Sequence, residues 1–496
     1  MKYGTKEQRK TIALELKGEY KALAESRYAK FLVAKILVDA DAELRESIIS
    51  EFYGHVRRLI NNPEASWIVD DTYRSVATRE QRATLLREWY GAEFALFKGG
   101  KDVGDVSKSA DLAAILAAAP EKRKPIMESL HNLINQLIQK KLTGFTMLHD
   151  AMLQYQLNMG EVGTHEATEF LELLKGDEEG DLLKNLAFTA SGARVVARAL
   201  ATSTAKDRKL LLRVYKDHIE TLAFDANGIL VLLAAYEVVD DTVMTSKLIF
   251  PDLLATKQAS DPGQQVAAIV VHALHPIGRI PLLYPLSAGR ANWLLPAGSD
   301  GATLLAELRK LRTATSKKEP TTRLQELGKA LSGHDGALLK TIATKAEELV
   351  RDSFGTQFVT EVLLEAEGDK DEANQAVAAL AGGDTTEETH IMHSAAAGRM
   401  LKTLALGARF NPETKTLERK QPPLRFADAL WPVIEAHAMA WAIGQNSFVV
   451  LNLLDNEDMS AEARRDLRAR MVDGKSALAI SAMEGNKGAS MILEKL

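Results

Sequence analysis

His165-Glu166 begins as a zinc-protease helix would. That chemistry needs a second His four residues after the first, so that two imidazoles share one helical face, and none stands there. The remaining members of the 11 His are scattered. No Gly-rich loop ends in Lys-Ser or Lys-Thr to cradle phosphates, and no nucleophile elbow is present. Asp177-Glu178-Glu179 and Asp369–Glu372 could pair carboxylates for acid–base work, but both fall in Gly-containing stretches, the usual place for solvated charge. Cys is absent, so there is neither a disulfide framework nor a thiolate metal site. The expectation is a chain with no catalytic residue, no metal, no cofactor and no small-molecule substrate.

The elements that position everything else repeat. A small residue, two variable positions, two apolar residues, a variable position and an apolar close recur at Ala29-Lys30-Phe31-Leu32-Val33, Ala65-Ser66-Trp67-Ile68-Val69, Gly192-Ala193-Arg194-Val195-Val196 and Gly355-Thr356-Gln357-Phe358-Val359. Weaker copies start at Gly144, Asn227, Gly398, Asn446 and Gly488. Ala29 and Ala65 are 36 residues apart, Gly192 and Asn227 are 35, and later intervals of 42 to 48 imply added loops. Apolar residues three and four apart predict a helix in each copy, and a second periodic run precedes most of them, such as 207–221 or 461–471. Helix pairs of this length bury a core only by stacking on their neighbours, so the sequence predicts an all-α solenoid.

Composition agrees. The 496 residues are 46% hydrophobic and 6% aromatic, and 26% are charged with a net charge of −5, so any positive patch must be local. The N-terminus is charged and helical, unlike a secretory signal. The most apolar stretch, 266–286, contains His272, His275, Arg279 and three prolines, which excludes a membrane span there. The repeat is interrupted between 91 and 125, read as a longer connection with a short helix. It is interrupted again between 250 and 323, where Pro and Gly give way to Arg309, Lys310, Arg312, Lys317, Lys318 and Arg323. The division expected is an arm over 1–249, a junction over 250–323 and an arm over 324–496, curved or L-shaped overall. Arg57, Arg58 and the basic cluster 309–323 read as solvated faces ahead of phosphate clamps.

SRYAKFLVAKIL, NPEASWIVDDTY and LLREWYGAEFALFK, with LLYPL, SKKEPTTRLQEL and DSFGTQFVTEVLLEA further on, resemble the Pumilio (PUF) repeat family, in its divergent Puf-A/Penguin-like nucleolar branch. The opening KYGTKEQR is similar to the end of a repeat, which leaves room for an upstream repeat and a Lys-rich tail. The resemblance implies Pumilio-type repeats in which side chains of the second helix read one base each. The outer two of a triplet bind the base edge and the middle one stacks. Most triplets here lack that chemistry: Lys30/Phe31/Ala34, Phe145/Thr146/His149, Ala193/Arg194/Ala197, Gly228/Ile229/Leu232, Thr356/Gln357/Thr360, Arg399/Met400/Thr403, Ser447/Phe448/Leu451 and Ala489/Ser490/Leu493. Ser66/Trp67/Asp70 alone keeps an edge-capable residue at each end and a ring between.

The resemblance therefore implies RNA binding with weak base selectivity. Lys30, Phe31, Ser66, Trp67, Asp70, Arg194, Arg399, Ser447 and Phe448 are the candidate contacts, and Arg57, Arg58, Lys35 and Arg198 are further basic candidates. Packing between repeats is the plain alternative for Phe31, Trp67 and Phe448, and a solvated side chain for Arg194 and Arg399. It also implies pre-rRNA, single-stranded or structured, as the ligand, with DNA able to compete. Ribosome assembly factors or ribosomal proteins would be partners, and large-subunit biogenesis in the nucleolus the role. An mRNA-specific translational repressor and a protein-binding scaffold of the HEAT or armadillo kind are the alternatives.

Overall fold

The computed structural model describes residues 4–91, 109–256, 259, 261–287, 294–411 and 415–496. Most of the connection expected between 91 and 125, namely 92–108, lies outside the described residues, as do Trp293 and the chain's first three residues. Helices dominate, and the chain divides into two compact units, Met1–Thr202 with Lys209–Val214 and Ser203–Arg208 with Tyr215–Leu496. Helix starts follow local chemistry. Asp41, Thr78 and Ser460 each accept a hydrogen bond from a backbone N–H of the first turn that has no helical partner. Asp261 does so next to Pro262, which lacks the N–H that would otherwise be left over.

The run expected over 207–221 is in fact two elements, the helices Ala205–Arg213 and Ile219–Phe224, whereas 461–471 lies within the single helix Ala461–Asp473, with Lys475–Met483 as a further helix before the second one. A repeat thus has a leading helix, a short first helix and the second helix that carries the small-residue pattern. The small residue is a matter of contact. A Cβ on Gly192 would lie 2.2 Å from the Leu186 carbonyl oxygen, and one on Gly355 would lie 2.1 Å from that of Leu349. In both repeats the second helix starts against the last turn of the helix before it.

Contacts in the first unit repeat with the period of the sequence. Glu51 accepts from the N–H groups of Gly18 and Tyr20 at 2.7 and 2.8 Å, and Glu88 from Gly54 and Val56 at 2.6 and 2.9 Å. Each carboxylate grips the turn one repeat upstream. Burial pushes the Glu88 carboxyl up, and those two N–H bonds pull it back. Further on, the Met147 N–H donates to Asp70 and the Tyr73 hydroxyl to Asp150, in both cases across 77 positions. The second helix Ala65–Asp71 and its π-helical extension Thr72–Val76 therefore meet the helix Thr146–Asn158, and the interruption at 91–125 is an insertion between neighbouring repeats.

In the second unit, residues 250–323 carry the helices Pro262–Leu274, Ile280–Leu286 and Asp300–Leu311. The basic cluster there is solvated only in part: Arg309, Lys310 and Lys317 are exposed. Arg323 is fully buried and Arg312 nearly so. Arg309 and Arg312 reach the buried Glu237 at 2.9 and 3.3 Å, while Arg323 donates to the Glu237 carbonyl and to Asp240, both at 2.7 Å. Burial alone would raise the Asp240 carboxyl, but bonds from Ser316, Arg323 and the Lys317 N–H hold it down at about 2. A hairpin of Ala408–Asn411 and Thr416–Arg419, paired antiparallel, is the one β element among the described residues.

Candidate nucleic-acid interface

The second helix of a repeat has one row that faces out, and its composition defines the site. In the helix Lys30–Asp39, Phe31 is 66% exposed, and in Ala65–Asp71 Trp67 is 55% exposed. The two rings occupy equivalent positions on neighbouring helices that pack together. The Lys30 ammonium lies 5.2 Å from the centre of the Phe31 ring and 2.6 Å from a Glu64 carboxylate oxygen one repeat on. Trp67 leans edge-on against Phe145 at 5.1 Å, which fixes the indole without covering it. Two large rings held at the surface on neighbouring helices add little to packing, which makes them the candidate contact surface.

Ser66 and Asp70, expected on either side of the Trp67 ring at the surface, lie inside. Asp70 accepts the Met147 N–H at 2.9 Å and takes part in a second bond with the Thr146 N–H, so it caps the helix of the next repeat. Burial pushes its carboxyl up to about 6, against the pull of those N–H groups. Ser447 is also interior, its hydroxyl donating to Asn486 at 2.7 Å. The same holds for Ala193, Thr356 and Ala489, which are buried too. In these copies the first variable position is turned inward because it sits beside the small residue where the helix abuts its neighbour, while Lys30 at that position is half-buried and Arg399 exposed.

Ile229 and Leu233 of the copy at Asn227 are buried, but in the copies at Ala29, Ala65 and Gly192 the second variable position and the residue four after it face outward, on one side of a 3.6-residue period. This puts Lys35 one turn beyond Phe31, Asp71 beyond Trp67 and Arg198 beyond Arg194. Lys35 and Asp71 are exposed and the two arginines half-buried. Burial, and then the like charge of Arg194, pull the Arg198 guanidinium down to about 10. In the copy at Gly398 the register slips by one: Arg399 is exposed and Met400 buried, the pattern of Arg194 and Val195. Phe448 is half-buried, with the Lys402 ammonium 5.7 Å from its ring. Arg57 and Arg58 are exposed, and Arg58 pairs with Glu25 at 2.8 Å.

The first unit therefore gathers Lys30, Phe31, Lys35 and Trp67, while the second unit holds Arg399 and Phe448 on its own helices. Sequence reasoning misses Tyr28, 77% exposed with Arg27 5.7 Å from its ring, because it precedes the helical pattern. It also misses Lys402, which stands three residues after Arg399 and outside the positions that the pattern marks. The ring that Lys402 meets belongs to the next repeat, so no spacing within its own helix signals the contact. No cluster of His, Asp or Glu able to hold a metal occurs among the described residues, and no described helix is long and apolar enough to cross a membrane.

A family model described as the CPL (NUC119) domain matches residues 274–416. Pumilio homology domain family member 6 of Schizosaccharomyces pombe is 31% identical over 98% of this chain and 71% of its own length. The Saccharomyces cerevisiae protein of the same name is 30% identical over 100% of this chain and 73% of its own. Human Pumilio homolog 3 is 27% identical over 100% and 71%. Among solved structures, human Puf-A superposes with a TM-score of 0.77 at 27% identity, covering 100% of this chain and 89% of that one. Human Puf-A in complex with DNA gives 0.78 at 26% identity, covering 99% and 88%.

Proposed function

The chain belongs to the Pumilio homology domain family, and from that premise we propose that it binds RNA with little base selectivity and acts on pre-rRNA in large ribosomal subunit assembly. The observation that carries the binding mode is the pairing of exposed Phe31 and Trp67 with inward-turned neighbours Ser66 and Asp70. A ring offers every base a face to stack on, worth about 1–3 kcal/mol per base, and does so whatever the base. Lys30, Lys35, Arg194 and Arg399 supply charge for phosphates, which carry no sequence information. With Ser66 and Asp70 inside, the one triplet equipped to read a base edge has nothing left to read it with. A structural neighbour solved on DNA fits such a surface, so single-stranded DNA competes for it.

The assembly role, a nucleolar location and contacts with ribosomal proteins or assembly factors rest on the kinship alone. Crosslinking in cells followed by sequencing of the bound RNA tests them. Reads concentrated on precursor rRNA support the proposal. Reads spread over mRNA 3′ regions sharing one motif would mean a translational repressor, and would overturn it.

A further inference from the structure

In the second unit, the helix Ala461–Asp473 carries Arg464, Arg465 and Arg468 toward Lys495 of the helix Lys487–Lys495. With Leu454, Asp455 and Ala461 they line a groove of about 540 Å³. Arg464 donates to the carbonyls of Glu457 and Met459 at 2.6 and 2.9 Å, and Arg468 to that of Lys495 at 2.7 Å. A carbonyl aims a guanidinium but leaves its charge in place. Among the described residues no carboxylate pairs with any of the three arginines, and Asp455, the acid on the wall, is taken by Lys495 at 2.6 Å. Arg464 Nε is buried there without a hydrogen-bond partner. Arg470 of the same helix is different, being held by Glu435 and Asp466.

Residues three and four apart on a helix stand about 5–6 Å apart at Cβ, so Arg464, Arg465 and Arg468 form a short row of forks. A row suits a ligand with repeated anions, and planar forks suit phosphate oxygens. The apolar floor, Leu454 and Ala461, has no ring on which a base could stack. We infer that this groove holds consecutive phosphates of a nucleic-acid backbone through Arg464, Arg465 and Arg468, by charge and without contact to bases. The inference rests on the nucleic-acid reading of the chain and adds to it a second contact, in the other compact unit from the aromatic row.

The test uses the full chain and a fluorescein-labelled, mixed-sequence 20-nucleotide single-stranded RNA, with anisotropy read across a salt series. Arg465→Gln with Arg468→Gln should flatten the slope of log K against log salt by about 1.4, two contacts at about 0.7 each. If wild type and variant bind alike at 1 M salt, that is a loss of roughly 25-fold at 0.1 M. Phe31→Ala with Trp67→Ala should weaken binding and leave the slope as it was. Arg465→Gln alone, whose side chain makes no hydrogen bond or ion pair among the described residues, should show about half the slope change, which keeps the test open if the double variant folds poorly. An unchanged slope in both groove variants, with the ring variant still weakened, overturns the groove and spares the nucleic-acid reading. A wild type that binds no RNA overturns both. A poly-glutamate peptide that binds wild type and is lost in the groove variants, while RNA affinity stays, makes the groove a peptide site and overturns the inference.

Discussion

The run from Arg309 to Arg323 and the helix rows bearing Lys30, Lys35, Arg194 and Arg198 are both basic in sequence, and they differ in where the charge goes. In the first, Glu237 and Asp240 draw Arg312 and Arg323 into the interior of the second unit. In the second, Lys35 stays exposed and Lys30 sits over the open Phe31 ring. The acids that decide the matter lie 75 to 86 positions upstream of the buried arginines, far outside any sequence window. In the first run the acids lie inside and take the arginines in with them, whereas Lys30 and Lys35 meet Glu64 and Asp39 in pairs that water still reaches. Arg465 and Arg468 extend the same contrast within the second unit.

The comparison is broken most severely at its buried side. Arg323→Ala removes one donor each from Asp240 and the Glu237 carbonyl, which keep Ser316 and Arg312 respectively, and empties a fully buried site, so the cost is about 3 kcal/mol, the lower end of what removing one partner of a buried pair entails. Urea denaturation followed by circular dichroism should show that loss, while RNA affinity measured on the folded protein stays within about twofold, a difference of roughly 0.4 kcal/mol. A variant as stable as wild type would place Arg323 at the surface.

Asp70 sharpens it, because this carboxyl lies on the inner side of the short helix that exposes Trp67. Its folded value is raised to about 6, so the protonated form is the one the fold favours. Its contribution to stability is full below about pH 4 and is lost as pH rises through about 6. Asp70→Asn keeps an acceptor for the Met147 N–H and cannot ionise. The variant should therefore gain on wild type between pH 4 and 6, by at most ~3 kcal/mol at ~1.4 kcal/mol per unit, and run parallel to it above 7. Urea midpoints at four pH values check this. A gap that does not change with pH would mean that the two N–H bonds keep the carboxylate at its ordinary value.

The smallest effect falls on the exposed side. Trp67→Ala should cost about 1–3 kcal/mol of RNA binding. It should cost stability only about 0.5–1.5 kcal/mol, the worth of an edge-on contact such as that with Phe145. A variant that unfolds while its binding per folded molecule is unchanged would make Trp67 a packing residue.

Much of the fold is legible in the sequence because stacking repeats leave their period in it, and the small residue at Gly192 or Gly355 records a backbone approach that a Cβ would bring to about 2 Å. The break of 207–221 into two helices is less visible, since both pieces carry the same apolar spacing. The candidate site divides along the same line. Phe31 and Trp67 stand out as large rings in variable positions. That Ser66 and Asp70 turn inward depends on the next repeat, whose helix start at Thr146 needs an acceptor and finds it 77 positions back from Met147. Spacing within one helix does not carry that information.

The outward row offers rings and charge while Ser66 and Asp70, the edge-reading pair, lie inside, and on this contrast the proposed weak base selectivity depends. Selection from a random pool of single-stranded RNA, with affinities of enriched and starting pools compared at fixed salt, tests it most directly. No short motif should gain more than about tenfold, or 1.4 kcal/mol, over the pool. Enrichment of a single motif by about a hundredfold, roughly 2.7 kcal/mol, would contradict it and return base reading to these repeats.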